Sequence, residues 1–428
     1  MREMKDSGIG WIGEIPRDWE RTKLLNCLRC PISDGPHETP NLVENGIPFI
    51  SVDSLNSTEF IDLSVVRKFI SDEDYSIYNA KTNLEQGDIL FSKSATIGKT
   101  AIVGDEKFMV WSPLAVIKRK PESVGNKFLY YILNTYEMIK YVSLLGGYNT
   151  QINVGMRSLE KAVIPVPPLP TQQRIADYLD SKCAEIDASI EKTKATIEEY
   201  KRLKQSVITV AVTKGLNADV EMKDSGIEWI GEIPKHWDMV RLQRLFEIYD
   251  ERNFDEDAIL LSLYTAIGVK PRSELEEKGN KASTVINYKK VKKGDLIVNK
   301  LLAWMGAVAY SDYDGVTSPD YDVYREKKNA NVFRNYYNLY FRHTNFKDDC
   351  YKYGHGIMLM RWRTYPYELL RILVANPPIK EQEAIAEYLD QKCAEIDTLI
   401  AKKQTIITEL ENYKKSLIYE CVTGKVEI

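Results

Sequence analysis

The chain is written twice. "MKDSGIGWIGEIPRDWE" (4–20) returns as "MKDSGIEWIGEIPKHWD" (222–238), and "PPLPTQQRIADYLDSKCAEIDASI" (167–190) returns as "PPIKEQEAIAEYLDQKCAEIDTLI" (377–400). Such a period forces two copies of one plan, so it limits the architecture more than any local propensity does. Each copy has a short Trp-containing lead-in, a long variable body and a helical tail. The bodies, roughly 21–165 and 239–375, share little beyond "GDIL" (87–90) against "GDLI" (294–297).

In the first tail Ile175, Leu179, Ile186, Ile190, Ile197, Tyr200, Leu203, Val207 and Val210 recur at steps of three, four and seven, which draws an apolar stripe along a helix. Ile385, Leu389, Ile396, Ile400, Ile407, Leu410, Leu417 and Cys421 repeat it. Pro167, Pro168 and Pro170 precede Thr171, a candidate N-cap, and Gly215 and Gly424 supply the stops. Each helix should run about forty residues, roughly 60 Å. A single helix cannot bury such a stripe, so the two tails are expected to pack on each other as a coiled coil.

The bodies have a different texture. Short β-rich runs at 46–52, 87–93, 100–104, 110–119, 258–264 and 294–300 are bounded by Gly, Asp and Pro, and helical stretches lie around 126–142 and 331–344. Each body therefore reads as a mixed α and β domain.

Composition narrows the class. With 44% hydrophobic and 28% charged residues over 428 positions, the chain reads as an ordinary soluble protein of two or three domains. No apolar run approaches the roughly eighteen residues of a membrane span, and "MREMKDSG" lacks a signal peptide's basic and apolar regions, so a cytoplasmic protein without a membrane partner is expected. Six cysteines are too sparse for a disulfide framework, and Cys27 and Cys30 lack the two further ligands zinc requires. A net charge of −4 argues against coating nucleic acid over the whole surface and leaves local patches open.

Three motifs come close to chemistry. "GIGWIG" (8–13) fits G-x-G-x-x-G, yet only seven residues precede it where a buried strand should lead in, it runs into Pro16, and Glu228 replaces the central glycine in the sister copy. "GKT" (98–100) lacks the earlier glycine of a phosphate loop, Lys93 standing in its place. "NPPI" (376–379) approaches the Asn-Pro-Pro-aromatic signature of DNA amino-methyltransferases, but Ile379 fills the aromatic position and the sister copy reads "VPPL". The four histidines, His37, His236, His343 and His355, show no metal or nucleophile spacing. No catalytic centre is expected.

The doubled pattern, with "WIGEIPRDW" leading in and "IPVPPLPTQQRIADYLDSKCAEID" at the tail, closely resembles the specificity subunit of type I restriction–modification systems over essentially the full length. The resemblance implies an α+β chain with an internal pseudo-twofold repeat. Two mixed target recognition domains would be separated by two long helices packed as an antiparallel coiled coil. The segments would be domain one at 1–165 with lead-in 4–20, a central helix at 166–215, domain two at 216–375 with lead-in 222–238, and a C-terminal helix at 376–428. It further implies a non-catalytic subunit that reads an asymmetric bipartite site in double-stranded DNA. Two modification subunits carrying S-adenosylmethionine would dock on the helices, restriction subunits would add ATP and Mg, and this chain would bind no cofactor itself. A stand-alone methyltransferase or nuclease, and a coiled-coil scaffold with no DNA role, are the competing readings.

Within the heads, "SKSATIGK" (92–99) offers Lys93 and Lys99 to phosphates and Ser94 and Thr96 as hydrogen-bonders. "GGYNTQIN" (146–153) offers Tyr148, Asn149, Thr150 and Gln151 to base edges or stacking. In the second copy "NKLLAW" (299–304), with Lys300 and Trp304, and "GHGIMLMRWR" (354–363), with Arg361, Trp362 and Arg363, hold similar places in the repeat.

Overall fold

A computed structural model describes residues 2–55, 59–145, 153–265, 267–274, 284–357 and 362–428. The chain divides into two units, Met1–Thr193 with Thr405–Ile428, and Lys194–Gln404. Each unit takes one body and a portion of each long helix.

The first body is built on a four-stranded antiparallel sheet in the order Ser33–Asp34, Leu114–Ile117, Ile89–Ser92, Thr100–Ile102. Its two inner strands, "LAVI" and "ILFS", are buried at every residue, which explains why they read as unbroken runs rather than alternating ones. The second body has the same sheet in the same order: Phe246–Tyr249, Tyr321–Glu326, Leu296–Asn299, Val308–Tyr310. Between the first and second strands in chain order the bodies diverge. The first inserts Ile47–Ile50, Phe69–Ile70 and the helix Asp72–Thr82; the second inserts Leu261–Tyr264, Gly268–Pro271 and Lys289–Val291.

The shared "GD" opens an inner strand in both copies for one physical reason. Gly87 and Gly294 adopt φ of 86° and 93°, a conformation that side chains disfavour. The following Asp88 and Asp295 accept from the backbone N–H three residues upstream, at 2.9 Å (Glu85) and 2.8 Å (Lys292). Both carboxylates are buried, and each is neutralised from the strand region alongside, by Lys118 at 2.5 Å and by Arg325 at 2.9 Å. Burial still raises the Asp88 carboxyl above its ordinary range, with the Lys118 hydrogen bond acting against it.

Two helices differ from expectation. The stretch around 126–142 breaks into Asn126–Leu133 and Tyr136–Leu145, because the Thr135 hydroxyl donates back to Ile132 O at 2.8 Å and accepts from Met138 N at 3.3 Å, acting as a new cap. After Arg334–Arg342, the ring Nδ1 of His343 accepts from Phe346 N at 3.0 Å and starts Thr344–Tyr353.

The long helices run Leu169–Lys214 and Ile379–Val422. The first begins ahead of Thr171, since Pro170 fits a first turn that needs no N–H from it, and Pro168 O accepts from both Thr171 N and Gln172 N. Buried positions Ile175, Ile186, Ile197 and Ile208 recur every eleven residues, as do Ile385, Ile396 and Ile407. Eleven residues over three turns is about 3.67 per turn, near the natural 3.6, so the seam stays on one face with little supercoiling. Leu203 and Val210, expected in the stripe, are 48% and 49% exposed for this reason: the seam continues at Ile208, Ala211 and Val212 instead. The helices pair antiparallel. In the first unit Asp187 meets Lys414 at 2.7 Å; in the second Lys204 meets Asp397 at 2.6 Å, while Val207 and Val210, further along, share a cleft with Tyr388.

Each lead-in is a hairpin rather than a strand–turn–helix unit: Met4–Asp6 with Glu14–Pro16, and Met222–Asp224 with Glu232–Pro234. Gly8, Gly13, Gly226 and Gly231 take positive φ, whereas a Cβ on Gly10 would meet nothing within 4 Å. Glu228 is therefore tolerated at that position, and the nucleotide-loop pattern is incidental. Trp19 and Trp237 are buried beside the glycines that end the helices; a Cβ on Gly424 or on Gly215 would approach their rings to 3.0 Å. Positive φ and this contact together reserve both stop positions for glycine.

Around the second lead-in, Trp229 Nε1 donates to Asp349 Oδ2 at 3.1 Å and its ring lies 5.0 Å from that of His343. Burial pushes Asp349 up from 3.8 to about 6 and His343 down from 6.5 to about 4. Between those values the folded state holds the extra proton on Asp349, so stability falls as pH rises. For His343 the unfolded state holds it, so stability rises with pH, and the two slopes oppose each other from about pH 4 to 6. Asp349→Asn retains an acceptor for Trp229 and removes one slope. Urea unfolding of this variant should show stability climbing by about 3 kcal/mol from pH 4 to 6.5; a flat profile would refute the compensation.

Candidate nucleic-acid interface

In both bodies the inner strand leaves the sheet through one lysine and returns through one glycine. Ser92 leads to Lys93 and closes at Gly98; Asn299 leads to Lys300 and closes at Gly306, both glycines at φ 93°. The hydrogen bonds match: Ser92 N to Lys99 O at 2.8 Å against Asn299 N to Ala307 O at 3.0 Å, and Val154 N to Lys93 O at 2.8 Å against Thr364 N to Lys300 O at 3.0 Å. Two loops of unlike sequence are thus one structural position, carried on rigid sheet ends, the usual placement for variable binding residues.

In the first body Lys93 is buried, and its ammonium lies 3.1 Å from Asp34 Oδ2, with His37 Nε2 at 3.2 Å from the same oxygen. This lysine neutralises an internal carboxylate. Lys99 is half-buried and donates to Val52 O at 3.1 Å. Ser94 forms a bridge with Asn153, and Thr96 is exposed while its carbonyl accepts from Ser92 Oγ at 2.5 Å. Tyr148, Asn149, Thr150 and Gln151 lie outside the described residues, as does Arg361.

In the second body Lys300 donates to Pro319 O at 3.1 Å and lies 3.8 Å from Asp322, whose buried carboxylate is held by Lys289 at 2.7 Å. Trp304 donates from Nε1 to Leu301 O at 2.9 Å. Trp362 stacks on Tyr351 at 4.7 Å and 17° and donates to Tyr351 O at 3.1 Å. Both indoles shape the end of the body. Arg363 pairs through its backbone with His355 in both directions, at 2.9 and 3.0 Å. Lys300, Trp304, Trp362 and Arg363 come together here through the Thr364–Lys300 bond and the contact of Trp304 with Tyr351, ring centroids 6.1 Å apart.

Several positions that fix the heads left no signal of that role in the sequence. Gln172 and Gln382, the repeated glutamine after the prolines, are buried clamps between head and helix. Gln172 Nε2 donates to Pro167 O (2.8 Å) and Ser123 O (3.1 Å) while its Oε1 accepts from Gly125 N (2.8 Å). Gln382 does the same with Pro377 O (2.8 Å), Asn331 O (3.0 Å) and Phe333 N (2.7 Å). Their repetition was visible; their partners lie about fifty residues upstream and left no local signal. Asp34 likewise became legible only once Lys93 was seen against it.

The near-motifs have structural roles. Asn376 of "NPPI" ends the strand Leu373–Asn376, is buried, and accepts from Tyr337 Oη and Gln382 Nε2, both at 3.0 Å. "GKT" leads into the strand Thr100–Ile102, not a helix. Among the described residues no three His, Cys, Asp or Glu side chains are grouped to hold a metal ion, and no helix is long and apolar enough to cross a membrane.

Two heads of one frame with unlike loops, each packed on part of an antiparallel helix pair, define a protein that presents two loop-bearing heads. The family model described as type I restriction modification DNA specificity domain matches residues 29–199. The putative type I restriction enzyme MjaX specificity subunit of Methanocaldococcus jannaschii is 27% identical over 97% of this chain and 96% of its own length, and the MjaVIII subunit of that organism is 22% identical over 97% and 94%. Among solved structures, a chain from work on complex assembly and conformational transition of the type I R-M system matches with TM-score 0.68 at 15% identity, covering 96% of this chain and 99% of its own. The HsdS subunit from Thermoanaerobacter tengcongensis matches with TM-score 0.54 at 15% identity over 96% and 98%. Over nearly its whole length the chain is similar to type I restriction enzyme specificity subunits, and residues 29–199 match the model of their DNA specificity domain.

Proposed function

We propose that this chain is the DNA sequence-recognition subunit of a type I restriction–modification complex and carries no catalytic centre of its own. The observation that carries this reading is the pair of identical sheet frames ending in different loops. Equal frames present their loops in the same way, and unlike side chains meet unlike base edges, so the target is bipartite and asymmetric. Partner subunits perform the chemistry in the cytoplasm. Two modification subunits dock on the helices and bring S-adenosylmethionine, and restriction subunits bring ATP and Mg. A methyltransferase built on "NPPI" would need Asn376 free for substrate, whereas Tyr337 and Gln382 occupy its side chain.

The test is a map of N6-methyladenine in the source genome with and without this gene. Loss of one bipartite motif is expected; an unchanged map would reject the reading. The loop lysines separate by role in the assembled complex. Lys99→Ala should weaken binding to all duplexes and lower the salt-dependence slope by about 0.9. Lys93→Ala strands the buried Asp34 and should lower the melting temperature. An unchanged slope for Lys99→Ala would remove it from the phosphate contacts.

A further inference from the structure

We propose that the second head reads its half-site in part through thymine methyl groups, using Leu302 and Met305, with Lys347 set against a neighbouring phosphate. This rests on the DNA-recognition reading above. The Lys300–Gly306 loop is fixed by its own backbone, with Leu302 N donating to Asn299 O (3.0 Å), Met305 N to Leu302 O (2.9 Å) and Ala307 N to Leu302 O (3.0 Å). This rigid turn leaves Leu302 and Met305 37% and 48% exposed. The matching loop of the first head carries Ser94, Ala95 and Thr96 instead.

Charge identifies what covers this apolar tip. A Cβ on Gly306 would lie 2.5 Å from Lys347 Cε and 3.2 Å from its Nζ, so this lysine lies directly over the loop. No ion pair involves Lys347 among the described residues. An apolar centre with an uncompensated cation, Lys347, beside it is the complement of a major-groove wall, where the thymine C5-methyl is the apolar group on a base edge and phosphates flank it. A protein partner's apolar face would leave that cation without counter-charge.

The test uses the complete complex and synthetic duplexes bearing the motif from the methylation map, with deoxyuridine replacing thymine in one half-site at a time. Deoxyuridine removes the methyl and keeps every hydrogen bond. One half-site should lose affinity by about fourfold per methyl removed, as expected for burying one methyl-sized group. That response should vanish in the Leu302→Ala, Met305→Ala double variant, whose changes lie on exposed positions. Replacing the first head should leave the sensitive half unchanged. Insensitivity of both halves, or sensitivity that persists in the double variant, would overturn the proposal while sequence-specific binding stands. Absence of specific binding to the unsubstituted duplex would instead overturn the DNA-recognition reading on which it depends.

Discussion

Replacing residues 21–165 with the corresponding body of a relative is expected to change one half of the methylated motif and leave the other half intact. Methylation at the original site would be abolished, and a new site sharing one half would take its place. The physical basis is how the body joins the frame. Strand Glu20–Lys23 pairs with Val163–Val166 in register, Lys23 opposite Val163 and Glu20 opposite Val166, so the chain enters and leaves the body side by side. Asp238–Arg241 and Leu373–Asn376 form the same ribbon for the second body. A segment with adjacent ends can be exchanged with little effect on what lies outside it. Methylome sequencing of the exchanged strain reads the result, and a change in both halves, or in neither, would defeat the modular assignment.

Lys118→Met is expected to destabilise the first head by about 3–5 kcal/mol, the range for removing one partner of a buried ion pair. Asp88 is 2% exposed, and Lys118 is its close ammonium partner at 2.5 Å, with Arg29 at 3.5 Å on the other carboxylate oxygen. The variant leaves a buried carboxylate largely uncompensated. Pairing it with Asp88→Asn should recover most of the loss, because a side-chain acceptor for Glu85 N is kept while the charge is gone. Chemical denaturation of the single and double variants measures the coupling. Equal losses in both would show that the lysine acts through packing alone.

The loop and clamp positions show why the candidate site was only partly legible. "SKSATIGK" and "NKLLAW" were recognisable as loops in similar places because Lys, Gly and a preceding apolar run are local features. That Lys93 faces inward to Asp34, that Lys347 covers Gly306, and that Trp362 stacks on Tyr351 depend on residues far away in the chain. The same holds for the stripe, where heptad-like spacing pointed to Leu203 and Val210 while the partner helix selected the eleven-residue series through Ile208.

What the sequence by itself determined was the doubled plan, the two long helices and their glycine stops, and the departures of the nucleotide-loop and "NPPI" patterns from their full motifs, since each follows from short-range spacing or from comparing one copy with the other. Tertiary structure alone decided that both bodies share one four-stranded order, which cation neutralises each buried aspartate, and which loop side chains face solvent. Those outcomes depend on pairing between strands and on burial, and neither strand partners nor low-dielectric neighbours are written in the residues on either side of a position.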